Sequence, residues 1–263
     1  MPSPRTCPRG ARRWRAVVVP AAVVVAWAVT SHLRLVNPNL LPPPRAVLET
    51  AAEELGSSTF WLGVAASLAR TASGFVLAAL LGGTLGVALG VSRWADRLVG
   101  PTFHAYRQVA VFAWIPLLSA WFGGGEATKV AFITVAAATP VVLNTMEGVS
   151  AVAVEHVELA RVLHLGPRHL VAGIIIPTAT PQILTGLQLS LVTAWLATFG
   201  SEFFLQISPG VARILIEGRA LARMDLVLVG VAVIGLIGFG LNSAMSAVER
   251  RLLHWRPAPP SVA

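Results

Sequence analysis

Charge is scarce in this chain. Only 12% of its 263 residues are Asp, Glu, Lys or Arg, whereas 55% are hydrophobic and the mean hydropathy is +0.72. A water-soluble domain carries about 25% charged residues, so this chain lacks the polar surface to cover a soluble globule and its solvent is lipid. Cys7 is the single cysteine, which excludes a disulfide framework and a thiolate metal site. There is no GxxxxGK followed by Ser or Thr, so ATP is not expected to bind here through a phosphate loop. There is no HExxH, and His156 and Glu158 stand two apart, on different faces of a helix, so no zinc hydrolase site and no metal are expected. The absence of GxSxG removes the nucleophile elbow of α/β-hydrolases. These absences leave no catalytic residue and no covalent chemistry for this chain. The net charge of +8 would suit nucleic acid, but the basic residues stand at the ends of apolar blocks rather than in one patch, so no nucleic-acid partner is expected.

What is present is a series of apolar blocks. A bilayer core needs about 20 apolar residues per helix. Six stretches meet or approach that length: residues 17–36, 69–91, 105–122, 129–145, 183–200 and 226–247. The fold class they predict is an all-α polytopic membrane protein with about six transmembrane helices. The basic start, with Arg5, Arg9, Arg12, Arg13 and Arg15 before an apolar run, resembles the first region of a signal peptide. No A-x-A cleavage pattern follows, so a retained first helix is expected.

Lysine and arginine in the loops set the orientation. With the N-terminus inside, Arg93, Arg97, Arg107, Arg161, Arg168, Arg250, Arg251 and Arg256 join the N-terminal arginines on the cytoplasmic side. Arg34, Arg45, Lys129, Arg213, Arg219 and Arg223 lie outside, and Arg70 falls inside a span. The division that follows is a cytoplasmic basic segment at 1–16, a first helix at 17–36, an external segment at 37–68, a transmembrane core at 69–247 with a cytoplasmic loop at 149–181, and a cytoplasmic tail at 248–263. Both termini are then inside. Two external stretches read as short helices. Residues 45–55 follow Pro42-Pro43-Pro44 and place Val47, Leu48, Ala51 and Leu55 on one side. Residues 211–222 alternate apolar residues with Arg213, Glu217 and Arg219, as an interfacial or re-entrant segment does.

Several patterns inside the blocks invite a role. Gly82, Gly86 and Gly90 recur every four residues, which lets helix backbones approach closely; the stripe suits helix packing within the chain or contact between copies. Gln182, Gly186, Ser190, Thr193, Ala197 and Ser201 fall on one helix side by steps of three and four. That small, polar face either lines a translocation path or makes interhelical hydrogen bonds. Glu202 ends it, where a carboxylate costs less than at the centre of a membrane, and Asn144 and Thr139 are further path candidates. Pro116 and Pro140 are expected to kink their helices.

The longest polar segment runs from Glu158 to Pro181, reading ELARVLHLGPRHLVAGIIIPTATP. It is helix-forming, broken at Gly166-Pro167, and bounded by Pro177 and Pro181. It serves either as a linker on the membrane surface or as a peg for a cytoplasmic partner. This segment resembles the EAA loop of ABC-importer permeases. Glu158, Leu159 and Ala160 align with E-A-A and Pro177 with the following proline, while His164 stands at the family's glycine position and Gly166 two residues later. LLPPPRAVL (40–48), IPLLSAWFGGGEATK (115–129), DLVLVGVAVIGLIGFGL (225–241) and ERRLLHW (249–255) look like the nitrate/sulfonate/taurine branch of those permeases. The resemblance implies a type I ABC-importer-like fold in a bacterial inner membrane. It implies that Glu158, Ala160, Arg161, His164, Gly166 and Pro177 form a coupling helix seated on a cytoplasmic ATPase. The partners implied are a second permease copy, an ATPase dimer that holds ATP and magnesium, and an external substrate-binding protein. The implied cargo is a small, anionic, sulfonate-, taurine- or nitrate-like solute. An ion-coupled secondary transporter is the alternative; it would call for inverted repeats and charges deep in broken helices, neither of which the sequence displays.

Overall fold

The computed structural model describes residues 9–33, 36–37, 40–153, 158, 162, 166–206 and 209–253. Every regular element among them is helical. In chain order these are α1 (Arg9–His32), α2 (Pro44–Gly56), α3 (Ser58–Val91), α4 (Arg93–Tyr106), a 3-10 turn (Val111–Trp114) and α5 (Ile115–Phe122). Then come α6 (Glu126–Ser150), a single turn at Pro167–Leu170, a π-turn at Val171–Ile175, α7 (Ile176–Phe204), α8 (Ala212–Ala220) and α9 (Met224–Leu252).

Among the described residues four helices are long and apolar enough to cross a membrane: Ser58–Val91, Glu126–Ser150, Val171–Phe204 and Met224–Leu252. They coincide with four of the six expected spans. The first expected span lies on α1, whose described apolar part is Ala21–His32. The expected span at 105–122 is not one helix. α4 ends at Tyr106, the chain turns through 107–110, and helix resumes only at Val111, giving an apolar helix of Val111–Phe122. Pro116 accordingly sits in the first turn of α5, where its missing N–H costs nothing, and not in a kinked interior. Pro140 does lie inside α6. Two further boundaries differ from the sequence reading. α3 starts at Ser58, eleven residues before the expected span, and helix resumes at Pro167 and runs on into the α7 span.

The chain forms two compact units. The smaller comprises Met1–Phe60 with Ile214–Ala232. Within it α2 begins on Pro44, and its buried residue is Thr50, not the expected apolar side; Leu48 and Leu55 are exposed. Thr50 is buried because its hydroxyl donates to Asp225 Oδ2 at 2.7 Å, an oxygen that Arg223 Nη2 also reaches at 2.7 Å. The Trp27 indole donates to the Pro42 carbonyl at 3.0 Å.

The larger unit comprises Trp61–Arg213 and Val233–Ala263. In it α3 and α6 run parallel. A Cβ on Gly82, Gly86 or Gly90 would meet Val141, Thr145 or Val149 in turn. At Gly86 that atom would stand 2.7 Å from Thr145 Cβ and 2.8 Å from the Val142 carbonyl, so the backbones touch. α7 is antiparallel to α6: Gly148 faces Gln182, Gly186 faces Asn144, and Ser190 bonds Ala137. The second half of α9 is antiparallel to α7, with Trp195 Nε1 donating to Ile234 O at 3.1 Å and Gln188 Nε2 donating to Asn242 Oδ1 at 3.1 Å and Ser246 Oγ at 3.0 Å. Because α3 and α6 point the same way, the broken α4–α5 stretch must bring the chain back across the bundle. Phe103 packs beside Leu89 and Val142 at one level, and Leu118 beside Phe132 and Ile133 at the other. The core is made of Ala78, Phe132, Ile133, Ala137 and Ala194, small residues interleaved with large ones.

Candidate functional site

The helix face expected to carry a polar path is mostly closed within the subunit. Gly186, Ser190, Ala197 and Ser201 are buried. A Cβ on Gly186 would stand 2.7 Å from Asn144 Cβ. The Ser190 hydroxyl donates to Ala137 O across the seam at 2.8 Å, and that of Ser201 donates to Thr198 O at 2.8 Å. Close packing against α6 is the physical reason these side chains are buried here. The exposed end of the face is different. Gln182 is exposed and its amide donates to Asn144 Oδ1 at 3.3 Å, while Asn144 Nδ2 donates to Pro140 O at 2.8 Å. Thr193 and Thr139 are half-buried and border one cavity.

Glu202 does not lie free at a helix end. It is buried, and its carboxylate is the acceptor at the centre of a network that the sequence reading did not assemble. Ser67 Oγ and Arg70 Nη1 each donate to Glu202 Oε1 at 2.6 Å, and the Ala212 N–H donates to Oε2 at 3.2 Å. Arg70 also forks onto Glu126, with Nε to Oε2 at 2.5 Å and Nη2 to Oε1 at 2.8 Å, and reaches Pro209 O at 3.1 Å. Lys129 has no solvent exposure and its Nζ lies 3.8 Å from Glu126 Oε1. Two cations and two anions thus cancel, which offsets the cost of burying Arg70, Lys129 and Glu202. Glu126 lies in the first turn of α6, where an anion suits the helix dipole.

The network joins α3, the start of α6 and the end of α7 to the segment 209–212. That segment is held closely. The Val211 N–H donates to Ser67 Oγ at 2.9 Å, and a Cβ on Gly210 would strike the Glu202 carboxylate at 2.3 Å. The tight turn before α6 uses Gly123 at φ 76, a left-handed conformation that glycine adopts without strain, and Thr128 Oγ1 bonds the Gly123 carbonyl. The signal available in the sequence was the occurrence of Arg70 and Glu202 within apolar spans, together with the E-x-x-K spacing of Glu126 and Lys129.

At the opposite end of the larger unit α6 finishes at Ser150 and the connection 151–166 begins. Of the expected coupling residues, Glu158, Gly166 and Pro177 are described; Ala160, Arg161 and His164 lie outside the described residues. Gly166 is exposed and precedes the turn Pro167–Leu170. Pro177 is the second residue of α7, directly after the π-turn, in which the Ile176 N–H bonds Val171 O. Arg93 and Arg97 follow α3 at this same end, since Gly90 lies on Val149, and Arg250 and Arg251 close α9 there. No group of three His, Cys, Asp or Glu residues able to hold a metal occurs among the described residues.

Comparison with known proteins identifies this arrangement. The family model described as the binding-protein-dependent transport system inner membrane component matches residues 74–254. The chain belongs to that family, and it is a multi-pass membrane protein and a transport component. It is 33% identical to the taurine transport system permease protein TauC of Escherichia coli (strain K12), over 89% of this chain and 87% of the relative. It is 31% identical to a putative aliphatic sulfonates transport permease protein, SsuC, of Bacillus subtilis (strain 168), over 92% of this chain and 87% of the relative. Identity to the bicarbonate transport system permease protein CmpB of Synechococcus elongatus is 26%, over 94% of this chain and 95% of the relative. Among solved structures, a chain of the MetNI methionine ABC transporter in inward-facing conformations superposes with a TM-score of 0.59. The identity is 19%, over 72% of this chain and 96% of that one, a likeness of fold.

Proposed function

We propose that this chain is the permease subunit of an ATP-driven importer for a small solute that carries an oxyanion group, of the sulfonate, taurine, nitrate or bicarbonate kind. It works as a homodimer in the bacterial inner membrane, with a cytoplasmic ATPase dimer that hydrolyses the ATP and an external binding protein that delivers the solute. Family membership carries this reading, and the relatives' named cargoes support its solute class. The distribution of charge supports the orientation. Arg93, Arg97, Arg250 and Arg251 share one end of the larger unit with the 151–166 connection, and excess Lys and Arg marks the cytoplasmic side. The N- and C-termini are then inside, and the Arg70–Glu202 network faces the side from which solute arrives.

In this mechanism ATP closes the ATPase dimer, and the segment around Glu158 moves with it. That motion passes through the turn at 167–175 into α7, and the bundle switches access from one side to the other. The chain supplies the path and the lever; no bond is made or broken on it. Gln182, Asn144, Thr139 and Thr193 are the path residues we retain, since Gly186, Ser190 and Ser201 are buried. A secondary transporter would also use charges in spans and a broken crossing, both of which occur here, but membership of a binding-protein-dependent family favours the importer.

The test is uptake of taurine, ethanesulfonate, nitrate and bicarbonate by the purified complex in proteoliposomes. Uptake of at least one is expected to require ATP, the ATPase and a binding protein. Uptake driven by an ion gradient with no ATPase present would replace the importer by the secondary transporter. Glu158→Lys is expected to leave ATP hydrolysis running while uptake stops.

A further inference from the structure

The crossing that breaks at 107–110 leaves irregular backbone level with the middle of α6: the Tyr106 hydroxyl donates to Val135 O at 3.0 Å. Backbone that leaves a helix at membrane depth is tolerated only where it is buried in protein or lines a watered cavity. Here it lines one. A cavity of about 330 Å³ opens beside the break, bordered by Arg107, Gln108, Trp114, Thr139 and Thr193. That volume is in the range of small-molecule sites, from about 300 Å³ upward.

The chemistry of the lining is one-sided. Among the described residues Arg107 is the single charged side chain at the cavity, and none of the carboxylates borders it. Arg70 of the same unit pairs with Glu126 and Glu202, whereas among the described residues Arg107 has neither an ion-pair nor a hydrogen-bond partner for its guanidinium. The Gln108 amide, the Thr139 hydroxyl and the Trp114 indole add donors. Thr193 Oγ1 spends its proton on Leu189 O at 2.8 Å. The break is braced, with the Tyr106 and Trp114 rings 5.2 Å apart on its two sides, so the donors are held in place. The sequence pattern puts Arg107 among cytoplasmic loop residues; the structure leaves its side chain exposed at the rim of this cavity, one residue after Tyr106, whose hydroxyl bonds Val135 O. A cation at that rim, with no carboxylate facing it, marks an ion or substrate pathway.

We propose that this cavity is the resting site of the transported solute inside the membrane, and that it takes a small monoanion whose negative group sits on the Arg107 guanidinium. Arg suits planar or pyramidal oxyanions because its fork donates two parallel hydrogen bonds. Lacking any carboxylate, the site disfavours cations. The inference rests on the importer reading above and adds the position, the sign of charge and the residue that selects it.

The test uses the full complex of permease, ATPase and binding protein in proteoliposomes, with Cys7→Ser as background and taurine, ethanesulfonate, nitrate and bicarbonate as probes. If the unsubstituted complex moves none of them, the importer reading for anions fails, independently of the cavity. If it moves one, Arg107→Ala is expected to lower uptake of that anion by about ten- to a hundredfold, the loss expected when a hydrogen bond to a charged group is removed. ATP hydrolysis stimulated by the binding protein should persist, and Arg107→Lys should recover part of the uptake. A second measurement needs no loss of function: Gln108→Cys is modified with a membrane-impermeant thiosulfonate during turnover. The transported anion is expected to slow that modification, and to leave modification of Leu196→Cys, on an exposed position of α7, unchanged. Unaltered uptake by Arg107→Ala, or no protection at position 108, overturns the assignment. Should Arg107→Ala fail to assemble, protection at 108 decides alone.

Discussion

The larger unit is held together in two different ways. Along the α3–α6 and α6–α7 seams, glycine, alanine and hydroxyl side chains let backbones come into contact, and no charge takes part. At the Glu202 end, four ionised side chains and one serine are tied into a single network that also holds segment 209–212. The seam is a sum of many small, separable contacts. The network is centred on the buried Arg70–Glu202 pair, and removing either partner strands a buried charge. A membrane protein gains no hydrophobic advantage from pressing its helices together, so close packing and buried charge are the two means left, and this chain uses one along its length and the other at an end.

The comparison can be broken most forcefully at Arg70. Arg70→Ala leaves Glu202 buried without its cation, and a loss of about 3–5 kcal/mol is expected, the cost of breaking a buried pair, read as a fall in the melting temperature in detergent. Replacing Arg70 by Met and Glu202 by Leu together removes both charges and should restore most of that loss. Equal destabilisation by the single and double replacements would show that the charges do not act as a unit.

Next in size is the seam. Gly86→Val must displace Thr145 or the Val142 backbone, and overpacking of this kind costs about 1–3 kcal/mol. Gly83 has nothing within 4 Å of its would-be Cβ, so Gly83→Ala should instead stabilise the helix by about 0.5–1 kcal/mol. The opposite signs at neighbouring glycines, measured by the same thermal melt, sharpen the assignment of the packed face. The smallest effect is expected at Ser190→Ala, which removes one interhelical hydrogen bond worth about 0.6 kcal/mol and should leave uptake unchanged. A large drop in uptake with stability intact would return Ser190 to the path.

The four long spans were legible because some twenty consecutive apolar residues have few other uses, and α2 was legible from Pro44. The break at 107–110 was not, because the apolar run Val109–Phe122 begins inside the turn and hydropathy averages over it. The early start of α3 was hidden because residues 58–68 were assigned to the external segment at 37–68. The partners of Arg70, Glu126 and Glu202, lie 56 and 132 residues away, and nothing local to Arg70 announces them. The polar face of α7 was correctly read as a face; periodicity alone could not say whether it met water or α6, and Ser190 bonding Ala137 answers for that stretch.

The π-turn before Pro177 has a consequence of its own. Pro177 and Pro181 lack the N–H groups that would bond Gly173 O and Pro177 O in a regular helix, and Ile176 already bonds one residue further back than usual. This is the slackest stretch of the helical run from Pro167 to Phe204, directly before the tight seam at 186–201. A pull applied near Glu158 would therefore be taken up as a pivot at 171–181, sparing the seam any slippage. Amide exchange faster at Gly173–Thr180 than at 190–201 would register that division between joint and beam.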